Sequence, residues 1–166
     1  AGHPTVPTAI FSGSGGSAYE HGLRISGVGV RAIVRDILFE DYTGSNSRIG
    51  CVGENEADLY TQNVHADNCD WCGIYAFGTL HARIAGGILD GCRSGFVANS
   101  ANECTIGYGA ASTADGPVVT NATQSAIYWS RGSQGHVDYC KIEDSPVGLD
   151  IDQAARCHAV ANDFKR

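Results

Sequence analysis

Apolar residues recur along the chain at intervals of roughly 22 to 25 residues. The recurring positions form five columns, and the offsets between neighbouring columns barely change from one repeat to the next. The columns are Val34, Thr61, Ile84, Ile106, Val137 and Val160; Ile37, Val64, Gly87, Gly109 and Cys140; Phe39, Ala66, Leu89, Ala111 and Ile142; Leu23, Ile49, Ile74, Phe96, Ile127 and Leu149; and Ile25, Cys51, Ala76, Ala98, Trp129 and Ile151. This regularity predicts that each turn of chain stacks on the preceding turn.

Within each repeat, apolar and other residues alternate over short stretches, which is the pattern of a strand with one buried face. The stretches 74–77 and 149–152 show it clearly, and Asp, Asn and Gly follow the strands as turn formers. No convincing helical pattern separates the strands. The sequence therefore predicts an all-β parallel β-helix of about six turns, formed by residues 23–166.

Two segments depart from the repeat. Residues 1–22 are expected to be an entry loop, and the glycine cluster at 13–16 lacks the Gly-Lys-Ser/Thr ending of a phosphate-binding loop. Between Phe96 and Ile127 the repeat lengthens by about nine residues, which we assign to an insertion at Ser112–Ser125. Such an insertion projects from one face of a solenoid, where it often carries binding function.

Composition and charge exclude several classes of protein. The 166 residues form one domain, and a formal charge of −7 argues against a nucleic-acid partner, which would need a basic stripe. No apolar run approaches about 18 residues, so no membrane span is expected. No signal peptide is visible at the start, although the chain could begin after one. No polar capping repeat is evident at the C-terminal end, so we expect a fragment of a larger chain or ends covered by partners.

Seven cysteines leave several alternatives open. Three fall at inward positions of the repeat, namely Cys51, Cys104 and Cys140. Cys69 and Cys92 occupy equivalent places in successive repeats, about 4.8 Å apart along the stack, a spacing that a disulfide tolerates. Cys69 and Cys72 also resemble half of a zinc site, but no second pair follows at ligand spacing. Reduced thiols, one disulfide and a metal site all remain possible readings.

The outward positions of the 74–77 strand and its equivalents form two further columns. They are Arg24, Gly50, Tyr75, Val97, Tyr128 and Asp150, and Ser26, Val52, Phe77, Asn99, Ser130 and Asp152. Tyr75, Phe77 and Tyr128, with Asn99 beside them, would present flat rings suited to sugars. The alternative is that these rings pack against another subunit or a covering loop.

Acidic residues supply candidate catalytic groups. Asp150 and Asp152 point outward about 6.6 Å apart along one strand, near the carboxyl separation of an inverting glycosidase. A second acidic column consists of Glu40, Asp67, Asp90 and Glu143, interrupted by Ser112. Asp67 and Asp90 would lie side by side, and either calcium or a shared proton would relieve their repulsion. The alternative for each acid is a hydrated side chain that caps a turn. No cofactor other than this possible calcium is expected.

The repeats resemble the right-handed parallel β-helix of the pectin-lyase-like superfamily, and are most similar to bacteriophage tailspike and tail-fibre β-helices. The segments that carry the resemblance are 31–46, 58–68, 125–133 and 147–151. The resemblance implies action on long polysaccharides as a lyase, hydrolase or adhesin, a homotrimer, and a location on a virion tail or outside the cell. The Asn-Thr-Asp-Gly, Asp-Asp and Gly-His-Gly motifs of pectate lyases and polygalacturonases are absent from this sequence.

The resemblance and the outward residues together predict a protein that binds bacterial surface polysaccharide through the face that carries Tyr75, Phe77, Asn99 and Tyr128. If it cleaves that polysaccharide, the expected acids are among Asp67, Asp90, Asp150 and Asp152. The alternative is a non-catalytic adhesin or a structural shaft of a trimeric fibre.

Overall fold

The computed structural model of the protein describes residues 9–12, 21–43, 48–153 and 155–165, with side chains described from residue 21 onward. These ranges contain nineteen strands and no helix, and hence no helix that could cross a membrane. The strands are β1 Ala9–Ser12, β2 His21–Ser26, β3 Arg31–Arg35, β4 Ile37–Glu40, β5 Ile49–Glu54, β6 Asp58–Gln62, β7 His65–Asp67, β8 Cys72–Phe77, β9 His81–Ala85, β10 Ile88–Asp90, β11 Ser94–Asn99, β12 Glu103–Ile106, β13 Val118–Thr120, β14 Ser125–Ser130, β15 Gln134–Asp138, β16 Lys141–Glu143, β17 Val147–Ile151, β18 Arg156–Val160 and β19 Asp163–Lys165.

The strands form three parallel sheets, and each turn of the chain contributes one strand to each sheet. Sheet A is β1-β4-β7-β10-β13-β16-β19, sheet B is β2-β5-β8-β11-β14-β17, and sheet C is β3-β6-β9-β12-β15-β18. Because every strand pairs with its equivalents in the turns before and after it, the chain is a parallel β-solenoid of about six turns. The predicted fold class is confirmed.

The core is the column of inward side chains enclosed by the three sheets. Trp129, Phe39, Phe96 and Leu59 are among its largest fully buried members. Burial of one such apolar side chain contributes about 1.5 to 3 kcal/mol relative to leaving it in water. The inward columns found in the sequence are therefore the main source of stability.

In the second turn, the pairing of β5 with the neighbouring strands differs from the columns predicted from the sequence. Cys51 pairs with both Leu23 and Ile74, in the place where Ile49 was expected, and Gly53 takes the place expected for Cys51. Ile49 instead lies opposite Cys72, two residues away. Alternation predicts the same face for residues two apart, so it does not distinguish Ile49 from Cys51, although Cys51 lies in the core and Ile49 packs in a separate cluster with Val52.

Two further register corrections concern the later turns. Val119 pairs with Leu89 and Ile142, so the expected Ala111 is not in this column. The extra residues of the long turn therefore lie at 107–117, earlier than the predicted Ser112–Ser125. In the last turn the residue that pairs with Val137 is Ala159 and not the predicted Val160, and Val160 is 55% exposed.

The stacked repeat begins before residue 23, the boundary predicted from the sequence. β1 pairs in parallel with β4, which places residues 9–12 in sheet A rather than in an entry loop. The glycine cluster at 13–16 lies outside the described residues.

A column of small residues lets sheet A pack closely against sheet B. Gly50, Gly73 and Gly95 occupy this column in successive turns, and Ala126 follows in the next. A Cβ atom on Gly95 would lie 2.6 Å from Cγ1 of Val119 in sheet A and 2.9 Å from the carbonyl oxygen of Ala126. The glycines are thus required by space rather than by an unusual backbone angle.

All seven cysteines are free thiols. Cys51, Cys104 and Cys140 are buried, as their inward positions predicted. Cys69 and Cys92 are also buried and lie in successive turns without forming a disulfide. Burial raises the pKa of the thiols at Cys51 and Cys104 to about 12.

Candidate functional site

The outer face of sheet B is largely closed at the position predicted to contact sugars. Tyr75 is only 9% exposed, because the ring of Trp71 packs edge-on against it at 4.6 Å and Phe77 stacks on it at 5.5 Å. Burial raises the pKa of the Tyr75 hydroxyl to about 12. Tyr75 belongs to a second small apolar cluster, which also contains Ile49, Val52, Cys72 and Val97.

The remaining predicted sugar contacts lie around this cluster. Phe77 is 39% exposed, and Asn99 and Tyr128 are half-buried. In the second turn the two outward positions belong to Val52 and Glu54, not to Gly50 and Val52 as predicted. Tyr128 donates a hydrogen bond from its hydroxyl to Oδ2 of Asp152 at 3.2 Å.

The four predicted catalytic acids are divided between two sheets. Asp150, in β17, and Asp152, directly after it, belong to sheet B, whereas Asp67 and Asp90 end β7 and β10 in sheet A. Each pair therefore faces a different side of the solenoid, and the four do not form one site.

Asp67 and Asp90 are neighbours in the register, as predicted. Thr120, rather than Ser112, is the next residue of this column, and its hydroxyl donates to Oδ1 of Asp90 at 2.7 Å. The amide of Asn121 donates to the same oxygen at 2.7 Å. Asp67 has its pKa raised, first by partial burial and then by the charges of Asp90 and other acids.

No group of three or more His, Cys, Asp or Glu side chains suited to a metal ion occurs among the residues that the structure describes. The hydrogen bonds from Thr120 and Asn121 already stabilise the charge on Asp90, and that charge is one of the causes of the raised pKa of Asp67. Calcium at Asp67 and Asp90 stays a prediction.

The outer face of sheet C carries a set of polar and aromatic residues that the sequence analysis did not select. Its side chains form register columns across the turns, one of which runs Ile33, Tyr60, Arg83, Thr105, His136 and His158. Neighbouring strands of a sheet lie about 4.8 Å apart, so such a column makes a continuous strip along the solenoid.

Three adjoining cavities follow this strip. Cavity 1, of about 400 Å³, is lined by residues that include Tyr60, His81 and Arg83. Cavity 2, of about 640 Å³, shares Arg35 and Tyr60 with cavity 1. Cavity 3, of about 520 Å³, shares His81 with cavity 1. Because successive cavities share lining residues, together they form one extended groove, here called the sheet C groove.

A chain of polar contacts crosses the floor of the sheet C groove. Arg31 contacts Oδ2 of Asp58 through Nε and Nη2, both at 3.1 Å. Oδ1 of Asp58 lies 2.7 Å from Nδ1 of His81, and Nε2 of His81 lies 3.2 Å from Oε2 of Glu103. The hydrogen bond with His81 is the main reason that the pKa of Asp58 lies below its usual value.

The insertion supplies an aromatic wall of the groove. Tyr108, in the 107–117 segment, packs edge-on against Tyr60 of β6 with ring centres 5.5 Å apart. The guanidinium of Arg83 lies over the Tyr108 ring at 5.1 Å. Tyr108, Gly109, Ala110 and Asp115 all line cavity 2, so the long turn forms part of the groove.

A signal for this face was present in the sequence. Once Leu59, Ala82 and Cys104 are recognised as inward residues, their neighbours must point outward: Asp58 and Tyr60, His81 and Arg83, and Glu103 and Thr105. Only outward positions of sheets A and B were aligned from the sequence, and the groove on sheet C was therefore missed.

Comparison of the chain with protein-family models, with curated proteins and with solved structures finds no match.

Proposed function

We propose that this β-solenoid binds an extended polysaccharide in the sheet C groove. The observation that supports the proposal best is the run of three adjoining cavities along one sheet, crossing strands from β3 to β18. A long, regular polymer can contact equivalent positions in successive turns of a solenoid, whereas a compact ligand needs a single enclosed pocket.

The lining of the groove suits sugars. The parts of the Tyr60 and Tyr108 rings that their mutual contact and Arg83 leave open can take the C–H surface of a pyranose, and their hydroxyls can bond to sugar hydroxyls. Gln62 in cavity 2, and Thr105 and Gln134 in cavity 3, add uncharged hydrogen-bonding groups. Tyr108 is 38% exposed, so its ring can be reached from solvent.

The wider proposal is a glycan-recognising β-helix of the pectin-lyase-like, tailspike type, right-handed and trimeric, on a virion tail or outside the cell. The regular parallel repeat and the sequence resemblance support it. The alternative of a non-catalytic adhesin fits the same groove, and a structural shaft would leave the groove empty.

Cleavage of the polysaccharide is a second candidate function. It is favoured by the position of Asp67 beside Asp90, because partial burial and the neighbouring charge raise the pKa of Asp67, which is the direction that general-acid catalysis requires. These acids lie on sheet A, so cleavage there would require the polymer to leave sheet C.

The test is retention of the protein on immobilised bacterial capsular polysaccharides and lipopolysaccharides, with release of reducing ends or unsaturated sugars followed in parallel. A Tyr60→Ala/Tyr108→Ala variant should bind about tenfold more weakly, because two stacking surfaces are lost. The matched control is Phe77→Ala/Tyr128→Ala, which removes two rings from sheet B.

Loss of retention in the sheet B variant, with normal retention in the sheet C variant, would return the site to the residues predicted from the sequence. If neither the native protein nor any variant is retained on a polysaccharide, the structural shaft of a fibre is the remaining interpretation. Sugar release that disappears in Asp67→Asn would support cleavage, and light scattering tests the trimer independently.

A further inference from the structure

We propose that cavity 1 binds the anionic group of an acidic sugar, a carboxylate or a phosphate, between Arg35 and Arg83. The saccharide part of this inference rests on the proposed function, whereas the anion site rests on the charges of the cavity alone.

The charges around cavity 1 are unbalanced. Its lining contains Arg31, Arg35, Arg83 and His81 but only one acid, Asp58. Both Arg31 and His81 are engaged with that carboxylate. Neither Arg35 nor Arg83 forms an ion pair with any carboxylate in the described part of the chain, and both are exposed.

This local excess contrasts with the composition of the whole protein. The chain has 11 Lys and Arg residues against 18 Asp and Glu, for a net charge of −7. Two arginines without carboxylate partners at the same cavity therefore leave a positive patch on an acidic molecule. Such a patch attracts anions over roughly a Debye length, about 8 Å at physiological salt.

The arginines are placed for contact with a sugar acid. Arg83 is held over the ring of Tyr108 at 5.1 Å, and this stacking limits the freedom of its guanidinium. Tyr60 is the register partner of Arg83 and lines the same cavity. The planar guanidinium presents two parallel N–H groups that match the oxygens of a carboxylate or a phosphate. A sugar ring against Tyr60 would thus bring its acidic group to the arginines.

The neighbouring cavity argues for this placement of the anion. Cavity 2 contains Arg35 but also Asp36 and Asp115. These acids accept hydrogen bonds from Asn63 at 2.8 Å and from Ser112 at 3.0 Å, so two carboxyl groups lie at that end of the groove. An anion is repelled there and favoured beside Arg83.

The test is an NMR titration that observes the Nε–H signals of the arginines, with three sugars as probes: glucose, glucuronate and glucose 6-phosphate. We expect the signals of Arg35 and Arg83 to shift with one or both anions and not with glucose. The Arg35→Gln/Arg83→Gln variant should bind the anions about tenfold more weakly or worse, because each charged hydrogen bond is lost. A response to glucuronate alone identifies a carboxylate site, and a response to glucose 6-phosphate alone identifies a phosphate site.

The matched control is Arg24→Gln/Arg131→Gln, which makes the same change in net charge away from the groove. The inference is overturned if neither anion shifts the two signals, if glucose binds equally well, or if the control variant loses as much affinity as the cavity variant. Unchanged melting temperatures of both variants show that folding is not the cause.

The polysaccharide experiment separates this inference from the proposed function. Binding of the anions without retention on any polysaccharide refutes the proposed function and leaves the anion site. Equal retention on an acidic polysaccharide and on the same polymer after chemical reduction of its carboxyl groups, unaffected by Arg35→Gln/Arg83→Gln, leaves the proposed function and refutes the inference.

Discussion

Replacement of Gly95 by alanine tests whether the close packing of sheets A and B is set by steric contact. Two effects of opposite sign compete at this position. Restricting the unfolded chain stabilises a protein by about 0.4 to 1 kcal/mol when a compatible glycine becomes alanine. Against this, the new Cβ would lie 2.6 Å from Val119 Cγ1 and 2.9 Å from a backbone oxygen of the adjacent turn. Overpacking of this kind costs about 1 to 3 kcal/mol.

We therefore expect Gly95→Ala to lower the free energy of unfolding by about 1 to 2 kcal/mol, since the steric cost exceeds the entropic gain. For a domain of this size each kcal/mol shifts the melting temperature by about 2 to 4 °C. The measurement is urea denaturation together with calorimetric melting, since an unchanged denaturant slope shows that the comparison concerns stability alone.

The matched control uses the next turn, where Ala126 already occupies the equivalent position. Ala126→Gly removes a Cβ without adding a contact, and it should cost roughly 0.5 to 1 kcal/mol. If backbone entropy alone governed this column, the two substitutions would have opposite signs, whereas our reasoning requires both to destabilise.

A double variant identifies the partner of the clash. Val119→Ala removes the nearest methyl groups, and Gly95→Ala/Val119→Ala should be more stable than the sum of the single changes by about 0.5 kcal/mol or more. A Gly95→Ala protein that melts at or above the native temperature would refute the reasoning. Strict additivity in the double variant would show that Val119 is not the obstacle.

The other predictions concern titrating groups. Asp67→Asn should raise the melting temperature at pH 7 and have little effect near pH 3, because the folded state favours the protonated acid and loses that stability as pH rises through the raised pKa. Melting curves from pH 3 to 7 check this, and an equal effect at both ends would contradict it. Asp58→Asn should have the opposite effect on stability. Because the pKa of Asp58 is lowered in the folded protein, its carboxylate, paired with His81, stabilises the fold at pH values above 3.8, the usual pKa of this group. That contribution disappears as pH falls through the folded pKa. The same melting series on this variant should converge with the native protein only at low pH. A thiol reagent should label Cys157 first in the native protein, because it is half-buried while the other six cysteines are buried, and all seven should react in denaturant. Faster labelling of any buried cysteine would count against the described packing.

The sequence predicted the fold because a solenoid repeats one local pattern. Each turn places apolar residues at the same offsets, so the columns headed by Val34 and Phe39 could be aligned without knowledge of any tertiary contact. Two errors arose elsewhere, at the insertion, where Val119 and not Ala111 joins the column, and in the last turn, where Ala159 and not Val160 does. The error in the second turn arose because hydrophobic alternation does not distinguish residues two apart. Ile49 and Cys51 are both apolar and two residues apart, so alternation predicts the same face for both. Only the structure shows that Cys51 pairs with Ile74 in the core while Ile49 packs in the outer cluster.

The candidate site was less accessible to sequence reasoning, because exposure and proximity across turns depend on packing. Tyr75 points outward from its strand, yet its contacts with Trp71 and Phe77 bury it. Tyr108 cannot be aligned with the other turns, because it belongs to the insertion. Only the folded chain brings it against Tyr60 and Arg83.

The sequence by itself thus determined the β-solenoid and the inward placement of Cys51, Cys104 and Cys140, because strand alternation and a fixed repeat are local properties of the chain. The tertiary structure alone decided which outer face is open. It covered the centre of sheet B, divided the acids between two sheets, and folded the long turn beside sheet C. These outcomes depend on which side chains from different turns come into contact, and a residue's own sequence neighbours do not specify that.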